Sequence, residues 1–168
     1  MSYKECSNNT GWVYKEWTND AGEMHREDGP AEIVINNGWI IRLIFWINGK
    51  KHRDEEPADI EYYSNGLIKT EYFYLHDLRH REGLPASIFY YPDGSIEEEI
   101  FCLDDKIHRE DGPAIVKYCL DGSIYSELYW LHNNIMGYGK VGFWNLWDNL
   151  TDEGRQASNL LKYLVKYL

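Results

Sequence analysis

A heptapeptide recurs through this chain at a nearly constant interval. The sequence HREDGPA begins at His25 and again at His108, and the related sequences HRDEEPA and HREGLPA begin at His52 and His80. Successive copies therefore lie 27, 28 and 28 residues apart. A further step of 28 residues reaches Met136, where the motif is lost, as is common in the last unit of a repeat array. A period of this length predicts a row of similar units, each stacked on its neighbours.

Turn signals divide each repeat into two parts. A glycine lies 14 residues before each of the four motifs and before Met136. These glycines end segments such as NNG, SNG, PDG and LDG, and Asn-Gly and Asp-Gly pairs tolerate the positive φ of tight hairpin turns. Apolar segments flank each turn, as in residues 86–91 and 96–103, and the proline of the motif marks the end of strand pairing. Each unit is therefore predicted to be a hairpin with one short and one longer strand.

These patterns predict a mainly β protein. We expect an antiparallel β-hairpin repeat meander with a period of 28 residues in most steps, followed by a C-terminal amphipathic α-helix. Glycine enters the positive-φ region freely, so Gly66, Gly94 and Gly122 are predicted to lie there.

The chain divides into three segments by composition. Residues 1–10 form a polar N-terminal segment, residues 11–136 form the repeat array, and residues 137–168 form an aromatic linker and a C-terminal helix. Thr151 is the predicted N-cap of that helix, because acidic residues follow it and favour a helix N-terminus. The apolar residues that recur at helical spacing are Ala157, Leu160, Leu161, Leu164, Val165 and Leu168. The helix has two interpretations: a cap over the open end of the sheet, or a helix that forms a homodimer or binds a partner.

The charge of the chain limits its partners. There are 28 acidic and 17 basic residues, so the net charge is −11, which opposes direct binding to nucleic acid or anionic lipid and favours a basic partner. No apolar run approaches the roughly 20 residues that span a bilayer, and the start MSYKECSNNT does not resemble a signal peptide. The 3 cysteines contain no CxxC pair, which fits a reducing compartment. We expect a soluble cytoplasmic protein that does not bind membranes.

The repeat unit HRxDGPAxIxYxxDGxxxxE resembles MORN-type and MORN-variant β-hairpin repeats of the kind seen in bacteriophages, giant viruses and some bacteria. The resemblance covers the array and not the C-terminal segment. It implies a scaffold for protein interaction, located in the host cytoplasm if the source is viral. The usual MORN unit is shorter and has a glycine where this unit has GPA, so membrane binding, which is attributed to some MORN arrays, is not implied.

Histidine and arginine recur once in every motif, a pattern that could indicate a metal or catalytic site. Successive copies should lie about 10 Å apart, which is too far for one ion held by nitrogen at about 2 Å. We therefore predict that the histidines close the loop and that the arginines bind carboxylates or carbonyls. The chain has no GxSxG, Walker loop, GxGxxG or HExxH sequence. We expect no catalytic residue, no metal and no cofactor, and hence no enzyme.

Acidic residues also recur on the longer strands. The fifth residue after the turn glycine is Glu in four of five units, at Glu16, Glu71, Glu99 and Glu127. Alternation of side chains along a strand predicts that these carboxylates share one face. The predicted partner-binding residues are acidic positions on the array and two aromatic anchors in the C-terminal segment: Glu71, Glu97, Glu98, Glu99, Asp105, Glu127, Trp144 and Trp147.

Together these features predict a non-catalytic protein-binding repeat protein. It would act as an inhibitor or adaptor that occupies a basic surface of its target, including a surface that normally binds nucleic acid. In a phage setting, which only the resemblance suggests, the target would be a host defence nuclease and the protein would be anti-CRISPR-like. Two alternatives remain: a sponge for a small ligand such as a signalling nucleotide, and an antitoxin or immunity partner of a co-encoded toxin.

Overall fold

The computed structural model describes residues 1–151, 155, 166 and 167. The strands, in chain order, are β1 (Ser2–Ser7), β2 (Trp12–Thr18), β3 (Glu32–Asn36), β4 (Trp39–Ile44), β5 (Trp46–Ile47), β6 (Lys50–Lys51), β7 (Asp59–Tyr62), β8 (Ile68–Tyr72), β9 (Tyr74–Leu75), β10 (Leu78–Arg79), β11 (Ser87–Tyr90), β12 (Ile96–Ile100), β13 (Cys102–Leu103), β14 (Lys106–Ile107), β15 (Ile115–Tyr118), β16 (Ile124–Leu131) and β17 (Asn134–Tyr138). They are followed by helix α1 (Gly139–Asn149).

The main body is one antiparallel sheet of 11 strands whose order in space follows their order in the chain, β1-β2-β3-β4-β7-β8-β11-β12-β15-β16-β17. This arrangement confirms the predicted hairpin meander. Gly66, Gly94 and Gly122 have φ values of 83°, 89° and 78°, as the turn sequences predict. Each of the four hairpins β3–β4, β7–β8, β11–β12 and β15–β16 also contains a register shift, with one extra residue on the longer strand. Such a bulge increases the local twist.

The longer strand of most repeats is broken, and the prediction of one strand over 96–103 is wrong. The chain leaves the main sheet at Phe101, so that β12 and β13 are separate strands, and the break recurs at Phe45 and Phe73. Beyond each break the chain forms one of the two-stranded ribbons β5–β6, β9–β10 and β13–β14. Alternating apolar residues continue through the break, so periodicity alone does not locate it. In the last unit β16 runs unbroken to Leu131, because β17 pairs with its distal half.

The core of the array contains a small residue that recurs in every motif. The alanine of each motif is completely buried, at Ala31, Ala58, Ala86 and Ala114. Its N–H or C=O bonds to the main sheet, as in the bond from the N–H of Ala114 to the carbonyl of Leu128 in β16 at 2.9 Å. Aliphatic residues of the main sheet, such as Ile44, Ile60 and Val116, are buried as well.

The C-terminal end differs from the sequence prediction. The segment predicted as an aromatic linker contains a further helix, α1, which begins at Gly139, whereas the carbonyl of Thr151, the predicted N-cap, accepts the N–H of Arg155 at 2.9 Å. Phe143 and Leu146 of this helix are completely buried against Tyr129 of β16. The predicted apolar positions from Ala157 onward lie outside the described residues. No helix in the described part of the chain is long and apolar enough to cross a membrane.

Packing rather than local signals places this helix. Its N-cap, Tyr138, makes no side-chain capping bond, and its first turn carries no acidic residue. Gly142 instead permits a close approach to β17, since a Cβ at this position would lie 2.4 Å from the carbonyl oxygen of Gly137.

The polar N-terminal segment contains strand β1, which pairs with β2 along its full length.

Candidate functional site

The four motifs form equivalent loops, here called HR loops, at residues 25–31, 52–58, 80–86 and 108–114. In the last three loops the arginine lies over the phenylalanine at the preceding strand break, and in the first loop Arg26 lies over Trp17 of β2. The guanidinium carbon is 3.7 Å from the ring centre of Phe73 for Arg81 and 3.8 Å from that of Phe101 for Arg109. A guanidinium N–H also reaches the carbonyl of the loop proline, at 3.3–3.5 Å. The arginines therefore hold carbonyls, as predicted, and they also stack on rings, which the sequence analysis did not foresee.

The histidines close the HR loops, and His25 and His108 also bond to the turn of the following repeat. The N–H of His108 donates to the carbonyl of Phe101 at 3.1 Å, and its Nδ1 accepts the N–H of His132 at 3.3 Å. The equivalent contact at the first loop runs from the N–H of Asn48 to Nδ1 of His25 at 3.1 Å. The ring of His108 also stacks on that of His132, with ring centres 4.2 Å apart. This contact couples neighbouring repeats.

One group of side chains has the composition of a metal site. Donor atoms of His108, Glu110 and His132 all lie within 4.8 Å of one another. The sequence analysis compared only equivalent histidines and did not consider His132, which enters from the following turn. Nδ1 of His108 accepts a backbone N–H, so the neutral ring carries its proton on Nε2, and a metal at Nε2 would have to displace that proton or the backbone bond. The absence of a stoichiometric metal stays a prediction.

The structure brings three of the predicted glutamates into one row. Cross-strand pairs align Glu71, Ile88, Glu99, Val116 and Glu127, so that these side chains share a face of the sheet. The prediction that Glu16 belongs to this row is wrong, because Lys15 takes its place. Strand β2 pairs with β1 and β3 without the bulge found in the later hairpins, and one missing residue moves Glu16 to the other face.

These carboxylates are held by the protein itself. The hydroxyl of Tyr90 donates to Glu71 at 2.6 Å, and that of Tyr118 donates to Glu99 at 2.7 Å. Burial and the bond to Glu71 raise the pKa of Tyr90, so its hydroxyl stays protonated and donating. Glu127 is buried and accepts bonds from Lys166 and Tyr167. Hydrogen bonds to other residues of the protein therefore occupy all three carboxylates of the row.

The remaining predicted residues are spread over different surfaces. Glu97 is the extra residue of the β12 bulge and is exposed, whereas Glu98 is half-buried and pairs with Lys117 at 3.4 Å. Asp105 accepts the N–H of Arg79 at 2.9 Å and so links two ribbons. Trp144 and Trp147 lie in α1 and pack against its buried cluster: Trp144 contacts Phe143 with ring centres 5.1 Å apart. Both rings are half-buried and are not free anchors.

A surface that the sequence analysis missed lies at the tight turns. All of these turns lie at the same end of the strands, and we call this surface the turn edge, residues 8–11, 36–40, 63–68, 91–97 and 119–125. Its exposed apolar side chains, with their exposed fractions, are Trp39 64%, Ile40 46%, Leu67 43%, Ile96 36%, Leu120 64%, Ile124 51% and Tyr125 75%. The signal in the sequence was an apolar residue next to NG or DG, where polar residues are usual.

Hydrogen bonds fix neighbouring turns of this edge to each other. The hydroxyl of Tyr63 donates to the carbonyl of Tyr90 at 2.7 Å, and that of Tyr91 donates to the carbonyl of Tyr118 at 2.8 Å. A cleft of about 290 Å³ opens between the last two of these turns, lined by Glu97 and Tyr125 among others. These bonds join the last three turns, and the N–H of Asn37 joins the second turn to the first through the carbonyl of Gly11 at 2.9 Å.

Comparison with known protein families found no family that matches the sequence, and comparison with curated proteins found no matching relative. The MORN-type assignment consequently stays a prediction from the repeat unit.

Proposed function

We propose that this chain is a non-catalytic protein-binding repeat protein whose turn edge contacts a basic surface of its target. The observation that carries the proposal is the exposure of Trp39, Leu120 and Tyr125, at 64%, 64% and 75%, along one end of the sheet. Aromatic and aliphatic side chains gathered on one surface are typical of protein-binding sites. The bonds between turns order this surface before binding, which lowers the entropic cost of association.

Acidic side chains accompany the apolar ones on the turn edge. Asp93, Glu97 and Asp121 are exposed. Hydrogen bonds from Ser95 and Ser123 lower the pKa of Asp93 and Asp121, so both stay ionised at neutral pH. With a net charge of −11, this surface attracts a basic partner and speeds its association.

This chemistry supports an inhibitor or adaptor of a protein with a basic surface. We propose a MORN-variant scaffold that works in the cytoplasm and has no catalytic activity. A basic surface that binds nucleic acid, such as that of a host defence nuclease, has the complementary charge. The apolar anchors then set the lifetime of the complex, while the carboxylates set its rate of formation.

The proposal can be tested by affinity capture from a lysate of the organism of origin, with quantitative mass spectrometry. A turn-edge variant carries Trp39→Ser, Leu120→Ser and Tyr125→Ser. A matched control carries Leu78→Ser, Ile135→Ser and Val141→Ser, three exposed apolar residues elsewhere in the chain. We expect a basic protein to be captured by the wild type and the control but not by the turn-edge variant.

Binding kinetics with that captured protein then separate the two contributions. Glu97→Lys should slow association and weaken its dependence on salt, while Tyr125→Ser should mainly speed dissociation. Equal capture by the turn-edge variant and the wild type, or association rates that do not respond to salt, would overturn the proposal.

A further inference from the structure

The HR loops differ in how they neutralise their arginine. In the first loop Nε of Arg26 donates to Asp28 at 2.8 Å, and in the fourth Nε of Arg109 donates to Asp111 at 2.6 Å. In the second loop Arg53 pairs with Glu56. Each of these loops therefore supplies a carboxylate from its own sequence to a guanidinium that lies on an aromatic ring.

The third loop has no such carboxylate. Its sequence HREGLPA places Gly83 where the first and fourth loops have their pairing Asp, and Leu84 where the second loop has Glu56. Arg81 still lies over Phe73 and donates to the carbonyl of Pro85 at 3.4 Å, but it forms no ion pair with any residue that the structure describes. The side chain is half-buried, and this burial lowers the pKa of Arg81 because the charge loses hydration.

Space for an anion exists beside Arg81. A cavity of about 830 Å³ opens there, with Arg81, Phe73 and the apolar side chains of Leu75 and Leu84 among its lining. Leu75 and Leu84 are 38% and 51% exposed, so an apolar group that enters the cavity would cover them.

We propose that this cavity binds the carboxylate of another molecule, in the position relative to Arg81 that Glu56 occupies relative to Arg53 in the second loop. The ligand is a monocarboxylate with an apolar substituent. Arginine binds carboxylates through paired N–H groups, and the ring of Phe73 holds the guanidinium in a fixed plane for that contact. The site is independent of the turn edge, because the HR loops lie at the opposite end of the strands.

The charge around the cavity explains why a monoanion fits better than a phosphate. Asp54, Glu55 and Glu82 also line the cavity, and all three are exposed. These carboxylates repel a second negative charge, so a phosphate dianion or a nucleotide is disfavoured. A free carboxylic acid and the C-terminus of a peptide both carry the required chemistry.

The test is NMR titration of the arginine Nε–Hε signals of the full chain, with Arg81 assigned from the spectrum of Arg81→Lys. The probes are isovalerate, its neutral amide isovaleramide, inorganic phosphate, and an acetylated tripeptide that ends in leucine as free acid or as amide. We expect isovalerate or the free-acid peptide to shift the Arg81 signal and the two amides to leave it unchanged. The tighter of the two acids identifies the source of the carboxylate.

Two loop variants make the result decisive. Leu84→Glu supplies the carboxylate from within the loop, as Glu56 does for Arg53, and should lower the affinity for the acids by about tenfold or more. Asp111→Gly should open an equivalent site, so that Arg109 also responds. An Arg81 signal that does not respond to either acid, that shifts equally with phosphate, or that shifts equally in Leu84→Glu overturns the proposal.

Discussion

The two edges of the main sheet differ in whether another element covers them. At the N-terminal end all six residues of β1 are exposed, and the outer side of this strand has no neighbour among the described residues. At the C-terminal end α1 packs over β16 and β17 and completely buries Tyr129, Phe143 and Leu146. A repeat buries its apolar face against the next unit, and only one end of the described chain carries a dedicated apolar cover.

The C-terminal cover replaces a contact that the array makes in every interior unit. There the aromatic residue at the strand break is covered by the arginine eight positions later, as Phe101 is by Arg109. Tyr129 stands at the same place in the last unit, but Gly137 stands where the arginine would be. Phe143 of α1 meets Tyr129 instead, edge to face, with ring centres 6.3 Å apart. The helix thus does for the last repeat what the next HR loop does for the others.

The largest effect should come from Phe143→Ala. Loss of a completely buried phenylalanine removes its transfer free energy and leaves a cavity, which costs about 3–5 kcal/mol. Denaturant unfolding monitored by circular dichroism measures this loss. Val141→Ala in the same helix is the matched control, because Val141 is 67% exposed and should change stability little. Similar losses for the two variants would contradict the capping role of α1.

An interior turn should respond next. Gly94→Val forces a β-branched residue to a φ of 89°, at an expected cost of about 1–3 kcal/mol. Gly94→Asn is the control, since Asn enters this region more readily and should cost less. Thermal unfolding distinguishes them, and a valine variant with the melting temperature of the wild type would refute the turn assignment.

A smaller effect is expected at the N-terminal end. Tyr3 is 50% exposed and contacts only the ring of Trp17 among its aromatic neighbours in the described structure, with ring centres 4.9 Å apart. Tyr3→Ala should therefore cost less than about 1 kcal/mol, as is usual for exposed positions. A loss as large as that of Phe143→Ala, measured in the same denaturant series, would show that the two ends of the sheet do not differ in stability.

The smallest effect is a change in the pH dependence of stability, and it arises at His108 in the last motif of the array. Burial, with a smaller contribution from nearby His132, lowers the pKa of His108 below its ordinary value of 6.5. The unfolded chain then binds this proton at higher pH than the folded chain, so stability falls as the pH drops below 6.5 toward the folded value.

His132→Asn sharpens this measurement, because asparagine stands at the equivalent place, Asn48, beside His25. The free energy of unfolding of this variant should depend less on pH than that of the wild type between about pH 7 and pH 5.5. An unchanged pH dependence would mean that the ring of His132 does not act on His108.

Local chemistry made the repeating part of this fold predictable. Asn-Gly and Asp-Gly specify their turns without help from the rest of the chain. Short segments were therefore enough to predict the meander and the positive φ of Gly94. Periodicity places Arg81 in a loop, but it does not predict that this loop brings Arg81 over the ring of Phe73. Helix α1 lacks capping signals and contains two glycines, and only its packing on Tyr129 explains it.

The candidate site was less predictable because it depends on register. A single bulge residue in each later hairpin, such as Glu97, decides which face each following side chain takes, and no residue type marks it. The spacing therefore predicts the wrong face for Glu16, while partner binding by the glutamate row stays a prediction. The tyrosines that hold Glu71 and Glu99 come from neighbouring strands, and their pairing with those residues becomes visible only once the register is known.

The order of the strands also determines how the molecule should unfold under mechanical tension. In the main sheet each strand bonds only to its neighbours in sequence, and β1 and β17 lie at opposite edges. Tension applied through β1 and α1 therefore pulls along the axes of the interstrand hydrogen bonds and breaks them a few at a time, rather than shearing a whole strand at once. The sheet should peel from the β1 edge at low force, whereas the buried contacts of α1 hold the other edge until late.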